Sequence, residues 1–151
     1  MPGLTLDIAG RGPLEPALKA LGRELGVTDA VRFLGYVAPI QRAIEESAVI
    51  VVPSMGEGFG MVALEAMERA RPVIAASIGG LGELVDDEVT GLLVAPGEAD
   101  PLTEAIVRLA GDLDLAARMG EAGRRRALAD FLEERCIDRT EELYERALDG
   151  H

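Results

Sequence analysis

The chain has 151 residues, 48% of them hydrophobic, and a formal net charge of −12, which suits one globular domain with a sizeable core. That acidic balance argues against nucleic acid, because phosphate contacts need clustered Lys and Arg that release counterions. With Cys136 the single cysteine and the terminal His151 the single histidine, neither an internal disulfide nor a zinc cluster is expected.

The first element in chain order is Leu4-Thr5-Leu6-Asp7-Ile8-Ala9, a partly alternating strand that runs into the glycine loop Gly10-Arg11-Gly12-Pro13. Leu14, Leu18, Leu21 and Leu25 then recur at spacings of four, three and four, one face of a helix that Gly26 is placed to stop. Val31-Arg32-Phe33-Leu34-Gly35 is a second strand, and Ile40 to Ser47 fits a short helix. The third strand, Val49-Ile50-Val51-Val52, carries no polar residue, as suits a strand covered on both faces of a parallel sheet. A helix from about Gly60 to Arg69, the strand Val73-Ile74-Ala75-Ala76, a helix near Glu83 and the strand Leu92-Leu93-Val94 follow.

Strands alternating with helices predict an α/β, doubly wound, mostly parallel Rossmann-like sheet. Beyond Pro101 the pattern is helical to the end, with Leu102, Ile106 and Leu109 on one face and Ile137, Leu143, Tyr144 and Leu148 later. The run Arg124-Arg125-Arg126 falls among helix formers and reads as a solvated helix face. Apolar runs such as residues 48–53 and 72–76 are too short to cross a bilayer, and Met1-Pro2-Gly3 opens no leader, so no transmembrane segment and a cytoplasmic location are expected.

In open α/β sheets ligands sit beyond the carboxyl ends of the strands. Three loops there bear glycines: Gly10-Arg11-Gly12, Gly56-Glu57-Gly58-Phe59-Gly60 and Gly79-Gly80-Leu81-Gly82. The middle loop combines bare backbone with a helix start whose unpaired N–H groups suit an anion. The same glycines also suit a plain strand-to-helix turn, and composition leaves both readings open. Glu57 and Glu65 are separated by seven residues, one carboxylate at the helix mouth and one inside it, and a carboxylate accepts hydrogen bonds from neighbouring hydroxyls. Glu65, Glu68 and Arg69 also share a helical face that would serve as solvated surface, and spacing does not decide between the two.

The stretch from Pro53-Ser54-Met55-Gly56-Glu57-Gly58-Phe59-Gly60 through Met61-Val62-Ala63-Leu64-Glu65-Ala66-Met67 resembles the signature of the retaining glycosyltransferases with two Rossmann-like domains, the GT-B fold. The likeness continues through Pro72-Val73-Ile74-Ala75, Gly79-Gly80-Leu81-Gly82-Glu83-Leu84-Val85 and Thr90-Gly91-Leu92-Leu93-Val94, and upstream through Gly10-Arg11-Gly12-Pro13 and Arg32-Phe33-Leu34-Gly35-Tyr36-Val37. The resemblance implies that residues 1–151 form a single nucleotide-sugar-binding domain, half of a GT-B fold, ending in C-terminal helices. It implies that Glu57 contacts the donor sugar, that Glu65 binds the ribose hydroxyls, and that the backbone of Gly58, Phe59 and Gly60 meets sugar and diphosphate. Gly10, Arg11 and Gly12 would line the same end of the cleft, with Tyr36 and Val37 bordering the base. The implied reaction moves a hexose from a UDP- or GDP-sugar to a hydroxyl acceptor with retained configuration, without a metal or other cofactor.

The sequence also departs from that pattern. The family opens this domain with a strand, a glycine turn with a basic pair, and a helix, preceded by an acceptor domain; this sequence starts later. A chain truncated on this side is expected to bind donor weakly and catalyse little, and to draw on an acceptor-domain subunit. In a sheet ordered three-two-one-four-five-six, the first strand is central. Its loss predicts either pairing of the strand near Leu4 with the one near Val49, or a second chain in the vacancy, such as a homodimer through the sheet edge. Ala48 stands where an aspartate is common, and Ala70 replaces the usual glycine where a helix end favours a left-handed residue. Glu133 replaces a tryptophan, which bears on how the final helix docks. A non-catalytic interaction module of the same fold is the alternative reading. A nicotinamide-binding domain is disfavoured because Gly10 and Gly12 are followed by Glu15 where the dinucleotide fingerprint needs glycine.

Overall fold

The computed structural model describes residues 3–131 and 133–149, without the side chains of Glu133, Glu134, Cys136, Asp138, Arg139 and Asp149. The readings made above for Met1, Glu133, Cys136 and His151 therefore lie outside the described residues. The chain forms two compact units that divide between Ala43 and Ile44.

The first unit is built on strand β1 (Leu6–Ala9), helix α1 (Glu15–Glu24) and strand β2 (Val31–Gly35). β1 and β2 pair in parallel, with Asp7 opposite Arg32, whose Nε and Nη2 donate to the two Asp7 carboxylate oxygens. Those bonds hold the Asp7 carboxyl below its ordinary pKa. Pro16 in the first turn of α1 has no N–H to leave unpaired. Gly26 closes the helix at φ +68°, with the N–H groups of Gly26 and Val27 reaching back to the carbonyls of Arg23 and Gly22. The leucine stripe foreseen on α1 is present but uncovered: Leu14, Leu18, Leu21 and Leu25 are between 44% and 67% exposed.

The second unit holds the core. Helix α2 (Gln41–Glu45) leads into it, followed by β3 (Ile50–Val52), α3 (Met61–Glu68), β4 (Val73–Ala76), α4 (Gly80–Leu84) and β5 (Gly91–Val94), then α5 (Ala99–Gly111), α6 (Leu113–Asp130) and α7 (Glu133–Asp149). The strands pair in parallel in the order β3-β4-β5. Val51, Ile74 and Leu92 are register partners, so strand alternation puts them on one face. Ile74, Leu92 and Val94 pack there against Ala105 and Leu109 of α5 and Ala116 and Met119 of α6. All four residues of β4 are buried, which requires cover on the opposite face as well. In α7, by contrast, Ile137, Leu143, Tyr144 and Leu148 are exposed. No helix among the described residues is long and apolar enough to cross a membrane.

The architecture is α/β with parallel strands, as expected. The strands fall into a two-stranded β1-β2 sheet and a three-stranded β3-β4-β5 sheet. Of the two alternatives expected at the sheet edge, pairing of the Leu4 strand with the Val49 strand is absent among the described residues. The pairs that form are consecutive strands linked by α1, α3 and α4, whereas β2 and β3, linked by α2, do not pair among the described residues. Helical crossovers are the connections that parallel neighbours need.

Ala70, singled out by its position, does adopt the left-handed conformation, at φ +54°. An L-residue with a Cβ is strained there, whereas glycine is not. The substitution Ala70→Gly is therefore expected to stabilise the second unit by about 1 kcal/mol, measured as a rise in the urea midpoint at unchanged slope.

Candidate functional site

The site-bearing loops follow the carboxyl ends of parallel strands. In the first unit the Gly10 N–H donates to the carbonyl of Gly35 at 2.7 Å, which brings the Gly10-Arg11-Gly12 turn to the end of β2. Gly35 takes φ +65°, and a Cβ built on it would lie 3.6 Å from Arg11 Nε. The structure thus brings Gly10, Arg11 and Gly12 together with Gly35, Tyr36 and Val37. Gly10, Arg11, Gly12 and Tyr36 are exposed, and Val37 is half-buried.

In the second unit β3 leads to the loop Gly56-Glu57-Gly58-Phe59-Gly60, which ends at the N-cap of α3. Gly60 is that cap, left-handed at φ +95° and ψ +48°, and it offers no side-chain cap to the first-turn N–H groups. A Cβ on Gly60 would come within 2.5 Å of Leu81 Cδ2, so a side chain there is strained by the left-handed backbone and would also have to push the Leu81 side chain aside. Gly58 and Phe59 are exposed, while Gly60 is buried.

The loop has a backing made of a second glycine pair. A Cβ on Gly79 would lie 2.1 Å from the Glu57 carbonyl oxygen, and one on Gly80 would lie 2.6 Å from both the Gly58 oxygen and Phe59 Cα. The Gly80 N–H donates to the Gly58 carbonyl at 3.2 Å. Two stretches of bare main chain are in direct contact, and one of them presents its far side outward.

Glu57 is half-buried at the mouth of α3, and Ser54 Oγ donates to its Oε2 at 3.3 Å. Glu65 is half-buried one and a half turns inside α3, and its carbonyl accepts from Arg69 Nη1 at 2.9 Å. Glu68 and Arg69 are half-buried too, and Arg69 Nη1 also lies 3.4 Å from Glu68 Oε2. The face shared by Glu65, Glu68 and Arg69 is therefore not the freely solvated surface that spacing allowed.

Three features were missed in the sequence. Ser54 orients Glu57, and its three-residue spacing from a glutamate was the available signal. The Gly79-Gly80 doublet was noted as a loop, but its role as a backing is a tertiary contact. Arg126 was read as part of a solvated face; Arg124 and Arg125 are exposed, but Arg126 is half-buried and donates to the carbonyls of Glu83 and Leu84. No group of three or more His, Cys, Asp or Glu among the described residues is placed to hold a metal ion.

Because nothing but backbone fits between the two loops, Gly80→Ala is expected to displace residues 57–59 and to cost about 1–3 kcal/mol of stability. Gly82→Ala, where a Cβ meets nothing within 4 Å, serves as the control in the same thermal unfolding series and should stay near wild type.

Comparison with known proteins places this geometry. Residues 2–112 match the family model described as Glycosyl transferases group 1. The glycogen synthase of Mycobacterium tuberculosis is 34% identical over 151 residues, covering 99% of this chain and 36% of that protein. Sucrose-phosphate synthase from Thermosynechococcus elongatus superposes with a TM-score of 0.84 at 34% identity, over 97% of this chain and 39% of that one. Anabaena HepE, solved in complex with UDP, superposes with a TM-score of 0.83 at 27% identity, over 100% of this chain and 42% of that one. The chain spans well under half the length of the relatives it matches, and its α/β fold is that of the GT-B glycosyltransferases. This chain belongs to the group 1 glycosyltransferase family.

Proposed function

We propose that the second unit binds a nucleoside diphosphate sugar at the mouth of α3, and that the chain serves as the donor-binding part of a retaining hexosyltransferase acting on a hydroxyl acceptor. The observation that carries this reading is the exposure of Gly58 and Phe59 at the start of α3, backed by Gly79 and Gly80. Unpaired N–H groups at a helix start favour an anion, and the helix dipole adds to that preference. The complex of HepE with UDP among the structural neighbours supports the choice of a nucleotide ligand.

In this reading Glu57, oriented by Ser54, accepts hydrogen bonds from hydroxyls of the donor sugar. Glu65 accepts from the ribose hydroxyls, and the backbone of Gly58, Phe59 and Gly60 meets the sugar and diphosphate. As the bond from the anomeric carbon to the diphosphate breaks, negative charge grows on the leaving group. Preorganised N–H donors stabilise that charge with no reorganisation. The chemistry proposed needs no metal, and the acceptor is held by a separate domain or subunit.

A second reading, a non-catalytic interaction module, is favoured by the uncovered leucine stripe of α1 and by the edge strands β1, β2, β3 and β5, each paired on one side only among the described residues. Calorimetric titration with UDP- and GDP-sugars, run beside light scattering, separates the two. The donor reading predicts saturable heat with one base, weakened about tenfold or more by Glu65→Gln through the loss of charge-assisted hydrogen bonds. A stable homodimer that gives no heat with either base at millimolar ligand would overturn it in favour of the module.

A further inference from the structure

Helix α6 lies along α3 in the opposite direction, and three contacts trace its course. A Cβ on Gly120 would lie 2.1 Å from the carbonyl oxygen of Ala70, just past the end of α3, and one on Gly123 would lie 3.3 Å from Met67 Cγ. Eight residues further along, the Phe131 ring meets the Phe59 ring, with centroids 6.0 Å apart and planes at 63°. Rising numbers on α6 thus match falling numbers on α3, and the last residue of the match belongs to the glycine loop. The close approach at Gly120 and Gly123 permits no slack between the helices.

Phe131 caps the C-terminus of α6, its N–H donating to the Ala127 carbonyl. The Arg126 guanidinium stands 5.9 Å from the Phe131 ring centroid. Its Nε donates to the Leu84 carbonyl at 3.1 Å and its Nη2 to the Glu83 carbonyl at 2.9 Å. Those carbonyls end α4, the helix that opens with Gly80 and so carries the backing of the glycine loop. One arginine therefore joins the end of α6 to both sides of the loop contact: through Phe131 to Phe59, and through α4 to Gly80. Phe59 itself is 42% exposed, so an edge-to-face partner on one side is what fixes its ring while the other side stays open.

We propose that Phe131, held by Arg126, is a positioning residue that fixes the Phe59 ring and with it the Gly58–Gly60 backbone offered to the sugar diphosphate. The role rests on the donor-binding reading above for its consequence, although the contact itself does not. Loss of the ring edge in Phe131→Leu leaves an apolar side chain of similar reach but removes the aromatic pair. Loss of the fork in Arg126→Gln frees the α4 carbonyls and the ring together. A change confined to general stability would not single out the loop.

The test is two-dimensional amide NMR of the whole chain without ligand, followed by calorimetry with UDP on the same samples. Phe131→Leu and Arg126→Gln should shift or broaden the amides of Gly58, Phe59 and Gly60, and should weaken UDP binding by roughly threefold to tenfold, as the loss of one aromatic pair implies. Phe131→Tyr, which keeps the ring edge, should restore both. Ile106→Val, a comparable loss in the α5 core, should leave loop amides and affinity at wild-type values. Unchanged Gly58–Gly60 amides in both Phe131→Leu and Arg126→Gln would overturn the proposal, as would equal effects from Ile106→Val. Should wild type bind no UDP, the donor reading fails, while the ligand-free amide shifts still decide the positioning role.

Discussion

Main chain pressed on main chain is the contact on which the site depends. Gly79 and Gly80 stand so close to Glu57, Gly58 and Phe59 that no side chain fits between them. Close-packed interiors tolerate such an approach only where both partners lack a Cβ or turn it away. The result is a loop whose inner side is occupied by the Gly79-Gly80 main chain and whose Gly58 and Phe59 remain exposed. A loop backed in this way has little freedom to collapse onto its own carbonyls.

The rest of the second unit serves to keep that contact in register. β4 is buried along its whole length and fixes the level at which the loops after β3 and β4 emerge. On one face Ile74, Leu92 and Val94 seat α5 and α6. α6 in turn lies against α3 through Gly120 and Gly123, so the helix that bears Glu65 is held along its flank. At the periphery, paired charges contribute less. Glu88 and Arg108 form a bidentate pair at 2.6 Å, and those hydrogen bonds hold the Glu88 carboxyl below its ordinary pKa, yet both groups are solvent-exposed and screened. The site is thus supported by packing and backbone geometry rather than by charge.

Much of this was legible from residue order. β2 and β4 have the bounds read from the sequence, because alternation and an unbroken apolar run are local signals. Gly26 and Ala70 were marked as helix ends, and each has a positive φ, since the left-handed requirement is local too. The division of the strands into two sheets was not legible, because β2 and β3 are linked by a helix just as the paired strands are, and residue order does not say which linked strands pair. Arg126 was misread for a related reason. Three consecutive arginines on a helix point to three different directions, and only the packing of α6 decides which one turns inward. The identity of Glu57 and Glu65 as candidates came from the motif; that both are half-buried, and that Ser54 bonds Glu57, needed coordinates.

The central claim is that a nucleotide is met by the peptide groups at the start of α3. Titrating UDP into isotopically labelled chain and following backbone amides tests it most directly. The account predicts that the largest saturable shifts fall on Gly58, Phe59, Gly60 and Met61, with Glu65 among the responding residues. Shifts that saturate elsewhere while these amides stay still would contradict it.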